Sequence, residues 1–66
     1  MGASHYTSIE NCNVLSHTTK AIEVEHDGEV MWFPRTQIDE GDYYEAGDID
    51  QTIDFSNWIL EQKGWA

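Results

Sequence analysis

The sequence predicts a small α+β domain: three or four antiparallel strands in one sheet, closed by a single short C-terminal helix. Three observations carry that expectation. Residues 20–26 alternate, with Ile22 and Val24 on one side and Glu23 and Glu25 on the other, as in a strand with one buried face. Asp27-Gly28 then stands between two alternating runs, and that dipeptide tolerates the positive φ angles of a type I′ hairpin turn. Near the C-terminus, Ser56 and Gly64 bracket a helix-length segment containing Trp58, Ile59 and Lys63.

Taken in order, residues 8–16 form a first strand with Cys12 and Val14 on one face. Residues 20–26 and 29–33 make the hairpin, and Pro34, which has no N–H, ends the return strand or marks it as an edge. A short turn over Arg35–Gln37 tucks Ile38 into the core. Asp39 to Gly47, rich in glycine and acid, is the most loop-like stretch. Residues 48–55 alternate again, with Ile49, Ile53 and Phe55 inward and Asp48, Asp50 and Asp54 outward. A helix runs from Asn57 to Lys63, with Trp58 and Ile59 against the sheet. The chain reads as one domain over residues 1–66, with residues 1–7 expected to be flexible and Met1 to Ser4 set aside from the fold.

So short a chain buries only about 60% of the surface its unfolded form exposes. Cys12 is the only cysteine among the 66 residues, so no intramolecular disulfide is available, and a lone thiol fits a reducing, cytoplasmic setting. Eight aromatic residues, Trp32, Phe33, Trp58 and Trp65 among them, offer the compensating apolar area. No apolar run is long enough to span a bilayer, and the N-terminal residues do not read as a signal peptide.

Charge is the strongest functional signal. Thirteen carboxylates face three cations, Lys20, Arg35 and Lys63, for a formal net charge of −10. Binding to nucleic acid needs cations to displace counterions from phosphates, so direct DNA or RNA binding is not expected. Anionic membrane surfaces are disfavoured on the same ground. A partner with a basic protein surface is the class that remains.

Several motifs resolve to blander readings. Asp48-Ile49-Asp50-Gln51-Thr52 matches the Asp-x-Asp-x-Thr start of haloacid-dehalogenase-like phosphatases, but that chemistry needs a parallel sheet larger than this chain can build. Read as a calcium loop from Asp48, it puts Ile53 where glycine is required and Ile59 where a bidentate glutamate is required. His5, His17, His26 and Cys12 match no zinc spacing. No cofactor, metal or catalytic group is therefore expected.

The candidate site residues are contact residues. Trp32 and Phe33 must point to opposite faces of a strand. An exposed Trp32 beside Arg35 is an interface anchor, since tryptophan and arginine dominate binding hot spots. In the alternative arrangement both rings are buried and Arg35 pairs with a loop acid. Tyr43 and Tyr44, adjacent on the acidic loop, are further contact candidates. Glu23 and Glu25 share a face about 6.6 Å apart, and with Asp27, Glu29 and a ladder of Asp48, Asp50 and Asp54 they form an acidic surface that either imitates a phosphate array or confers solubility.

The segments Lys20-Ala21-Ile22-Glu23-Val24-Glu25, Trp32-Phe33-Pro34-Arg35-Thr36-Gln37-Ile38, Gly47-Asp48 and Trp58-Ile59 to Lys63-Gly64-Trp65 together form a pattern. It resembles a group of small, mostly uncharacterised proteins of bacteriophages and bacterial mobile elements. These share a hairpin, a Trp-hydrophobic-Pro-basic-Ser/Thr-Gln-Ile motif, an acidic loop and a terminal Trp-rich helix ending near Lys-Gly. The likeness covers roughly residues 11–65. It implies a phage or prophage source more than an activity. By analogy with small acidic phage proteins that inhibit host defence, the expected role is inhibition or modulation of a host complex in the host cytoplasm, of the anti-CRISPR or other anti-defence type. The expected mechanism is occlusion of a basic surface. The alternative is a self-associating accessory that forms a homodimer or oligomer.

Overall fold

The computed structural model describes residues 5–65. Four strands form one antiparallel sheet: β1 (Tyr6–His17), β2 (Ala21–His26), β3 (Glu29–Pro34) and β4 (Gln51–Ser56). Helix α1 (Asn57–Lys63) follows directly, and short 3₁₀ turns occupy Arg35–Gln37 and Gly41–Tyr43. The order across the sheet is β3-β2-β1-β4. The architecture is the small α+β domain the sequence predicts, with four strands.

β1 starts at Tyr6, two residues before the expected start, because Tyr6 and Thr7 pair with Ser56 and Phe55. It is shared between two neighbours. Its first half pairs with β4 and its second half, from Asn13, with β2. Two register shifts, one between Ile9 and Cys12 and one between Val14 and Ser16, break the strand. Asn11, at φ 60°, takes the left-handed conformation in the first of them, a conformation asparagine tolerates better than most residues. Such bulges bend a strand and let the sheet curl around its core.

The hairpin turn has the predicted chemistry. Asp27 and Gly28 have φ of 52° and 85°, the two positive values of a type I′ turn, and they pair His26 with Glu29. Period-two alternation then sends Ile22, Val24 and Phe33 to the concave face, where they are buried with Cys12, Val14, Ile53 and Phe55. The Phe33 and Phe55 rings meet with centroids 4.4 Å apart across that face. Each fully buried ring contributes about 2–3 kcal/mol by area. Ile38 enters the same core by a single bridge to Phe55.

Two expectations are corrected. The last strand begins at Gln51, so Ile49 is not inward; it is 65% exposed. Asp50, at φ 54°, breaks the extended run, after Gly47 and Asp48 have been tied to the backbone of Val14. Asp48 and Asp50 consequently lie in a loop and form no ladder with Asp54. On α1, Trp58 does not face the sheet: it is 57% exposed, and Ile59 and Leu60 are the buried pair. With 3.6 residues per turn, a seven-residue helix offers only a narrow stripe to the core, and Trp58 falls outside it.

The helix has the predicted ends. Ser56 Oγ accepts the Ile59 N–H and donates to Gln37 Oε1, which fastens the cap to the turn at Arg35–Gln37. Gly64, at φ 80°, reverses the chain, and the Trp65 N–H returns to the Leu60 carbonyl. That reversal lays the Trp65 ring on the core, 5.1 Å from Phe33 and 6.2 Å from Phe55, with its indole N–H donated to Glu29 Oε1 at 2.8 Å. No helix among the described residues is long and apolar enough to cross a membrane.

Candidate protein-binding face

The convex face of the hairpin is built by the same alternation that fills the core. Glu23 lies directly opposite Trp32, and Glu25 opposite Val30. Across the other side of β2, Ser16 pairs with Glu23 and Asn13 with Glu25. Two rows therefore cross the sheet, Ser16–Glu23–Trp32 and Asn13–Glu25–Val30. Trp32 is 41% exposed and Val30 48% exposed, while Phe33 on the opposite face is fully buried. Of the two arrangements open to Trp32 and Phe33, the structure has the one with an exposed tryptophan.

The two glutamates on this face differ in how they are held. Glu25 accepts from Asn13 Nδ2 at 2.7 Å and from the Gly28 N–H at 2.8 Å. The Asn13 hydrogen bond first, then the Gly28 hydrogen bond, lowers the Glu25 carboxyl below its ordinary value. Asn13 Oδ1 also accepts the Asp50 N–H at 3.0 Å. One chain of hydrogen bonds thus runs from the hairpin turn through Glu25 and Asn13 to the loop before β4, and it brings the Asp50 backbone to the edge of the Glu25 row.

The other predicted contact residues fall elsewhere. Arg35 does not pair with a loop acid, nor does its head group lie free beside Trp32. Its Nη1 donates to the carbonyls of Gly41 and Tyr44, and its Nε to that of Thr18. The guanidinium, with donors arranged as a fork, satisfies a cluster of loop carbonyls and so holds residues 41–44 against the end of the hairpin. Tyr43 is 69% exposed, stacked edge-on to Tyr44 at 5.1 Å, above a shallow groove lined by Arg35, Glu40 and Asp42. Tyr44 is half-buried and donates its hydroxyl to the Thr52 carbonyl; burial first, then the nearby Asp54 charge, raises its pKa. Asp48 Oδ2 accepts the Glu45 N–H and serves the loop turn.

The eight candidates therefore divide into three places: Trp32, Glu23 and Glu25 on the convex face, Arg35, Tyr43 and Tyr44 at the 35–44 corner, and Asp48 and Asp50 in the loop before β4. Val30 belongs to the face and was not anticipated, although its spacing of two from Trp32 was the available signal. A second groove lies between the first half of β1 and the chain end, lined by Ser8, Glu10, His26, Asp27, Glu29 and Trp65. His26 stacks on Trp65 there, and its Nε2 stands 3.3 Å from Asp27.

The Cys12 thiol is buried, and burial pushes its pKa up to about 11, which keeps it protonated at neutral pH. Among the described residues no group of three or more His, Cys, Asp or Glu side chains is placed to hold a metal ion. Comparison with known proteins found no matching family model, no curated relative and no similar solved structure.

Proposed function

We propose that this chain is a protein-binding module that docks through the convex face of its β2–β3 hairpin and occludes a basic surface on its partner. The observation that supports this most is the placement of exposed Trp32 directly opposite Glu23, beside exposed Val30 opposite Glu25. Removing an exposed indole from water upon docking is the usual chemistry of an interface anchor, and truncating such an anchor costs about 2 kcal/mol or more. The net charge of −10 steers the chain toward cationic surfaces and away from polyanions. Together with the phage-type sequence pattern, this favours an inhibitor or modulator of a host complex, of the anti-defence kind.

The test is capture from host lysate at low and high salt, with wild type, Trp32→Ala and the Glu23→Gln/Glu25→Gln pair run in parallel. A basic partner held by wild type, weakened by each variant and released by salt is expected. Retention that is indifferent to salt and to both variants would sink the reading.

A self-associating accessory is the second reading, and the outer side of β3, paired with no strand among the described residues, favours it. Ten net negative charges on each copy oppose it. Sedimentation over a wide concentration range decides between the two.

A further inference from the structure

The outer side of β3 has a defined hydrogen-bonding register. The two-residue turn makes His26–Glu29 a hydrogen-bonded pair, and pairs alternate from there. Val24–Met31 and Ile22–Phe33 then exchange bonds inside the hairpin, while the N–H and C=O of Val30 and Trp32 point away from β2. Two observations fix this phase. Arg35, three residues after Trp32, donates its N–H to the Lys20 carbonyl, as the alternation requires of the next bonded pair. Pro34, which has no N–H to give, occupies an outward-pointing position. No strand among the described residues pairs with this side of β3.

Edge strands of this kind are normally blunted by charge, proline or a bulge. β3 carries Glu29 and Pro34 only at its ends, and the four residues between them are uncharged and in regular register. Two donor–acceptor sets about 6.8 Å apart are thus presented to solvent, on the same residues whose side chains form the exposed face.

From this we infer that β3 receives an extended antiparallel segment of the partner, and that this segment alternates basic and apolar residues. The inference rests on the proposed protein-binding function and specifies its contact. A residue opposite Trp32 falls on the convex face, in the row Ser16–Glu23–Trp32. An arginine there lies against the indole with the Glu23 carboxylate beyond it, so the ring quadrupole and the carboxylate both attract the guanidinium. Its neighbours fall on the other face, beside half-buried Met31 at the rim of the core, where an apolar side chain completes the packing. A second copy of this chain fits poorly: β3 carries no cation to offer, and each copy brings ten net negative charges.

The probe is a synthetic peptide of alternating arginine and valine, titrated into the ¹⁵N-labelled protein. Its controls are a shuffled isomer with the arginines clustered, one copy N-methylated on the arginine amides, and one N-methylated on the valine amides. In the inferred register the arginine amides face β3 and the valine amides face solvent. The alternating peptide is expected to protect the Val30 and Trp32 amides from exchange. Arginine N-methylation should weaken binding about tenfold or more, the loss of two hydrogen bonds plus a clash, with little effect from valine N-methylation. Val30→Pro, which removes one outward N–H as Pro34 already does, should weaken the peptide without unfolding the hairpin.

Equal binding of all four peptides overturns strand addition and leaves the basic-surface reading standing. No binding of the alternating peptide also overturns it. Protection of Val30 and Trp32 that rises with protein concentration and no peptide overturns it in favour of a second copy. The docking face itself is tested separately: it fails if Trp32→Ala leaves capture of the lysate partner intact.

Discussion

Arg35 clamps Tyr44: its Nη1 donates to the Tyr44 carbonyl at 2.7 Å and, at the same distance, to that of Gly41. The sequence marks this arginine as an interface anchor, but three of its five N–H donors are spent inside the molecule. Arg35→Ala should lower stability by about 2–3 kcal/mol, since bonds from a charged donor are lost and partly buried carbonyls are left without it. Arg35→Lys should recover only part, because an ammonium cannot reproduce the fork. Urea unfolding checks both, and an unchanged midpoint for the alanine variant would refute the clamp.

Gly41 sits beneath that arginine's own backbone. A Cβ there would lie 2.2 Å from the Arg35 carbonyl oxygen, so Gly41→Ala should cost at least about 2 kcal/mol by overpacking. Gly47 is the contrast, with open space around it but φ of 98°. Gly47→Ala should cost about 1 kcal/mol through backbone conformation alone. Thermal melts that rank the two variants in the other order would contradict this packing.

The Asn13–Glu25 contact predicts a pH dependence. The folded Glu25 carboxyl lies below its ordinary value of 4.5. Its contribution to stability is therefore fully present above that value and is lost as pH falls through the folded pKa. Glu25→Gln should be less stable than wild type at neutral pH, and the two should converge in acid. Parallel pH–denaturation curves, with a constant gap down to the acid limit, would show that Glu25 is not held in this way.

Cys12 should behave as a core residue. With the thiol pKa at about 11, roughly one molecule in a thousand carries thiolate at pH 8, before burial restricts access. Reaction with a disulfide reagent should be slow in native buffer and immediate in denaturant. Fast modification of the folded protein would exclude the buried position.

Trp32→Ala and Trp58→Ala remove two exposed indoles of similar accessibility. Neither should change stability by more than about 1 kcal/mol, as neither leaves a cavity. Only the first should weaken partner capture. Equal loss from both would point to general stickiness of exposed tryptophan rather than to a defined face.

The legible parts of the fold were those encoded by neighbours in sequence. Alternation around Ile22 and Val24, Asp27-Gly28 at the turn, and Ser56 and Gly64 at the helix ends all act within a few residues, and each is found in its predicted role. The failures share a cause. Ile49 alternates correctly with Ile53, but the backbone of Val14 claims Gly47 and Asp48, and Asp50 then turns the chain. Arg35 stands beside Trp32 in sequence, while the carbonyls that capture it come from a loop whose conformation no local rule sets. At the candidate site, period two put Glu23 with Glu25 and set Trp32 against Phe33, while the hairpin register put Trp32 on the face of the glutamates. The separation of Tyr43, Tyr44, Asp48 and Asp50 from them depends on long-range contacts.

The pairing of β1 with β4 has a consequence for how the molecule is made. Ser8 bonds to Asp54 across 46 residues and Thr7 to Asn57 across 50. While a ribosome is still adding the segment that holds β4, β1 has no β4 to pair with, and only the β1–β2 pairing and the β2–β3 hairpin can form. The native sheet therefore closes only once β4 is available, in a step dominated by distant contacts and slow for so small a protein.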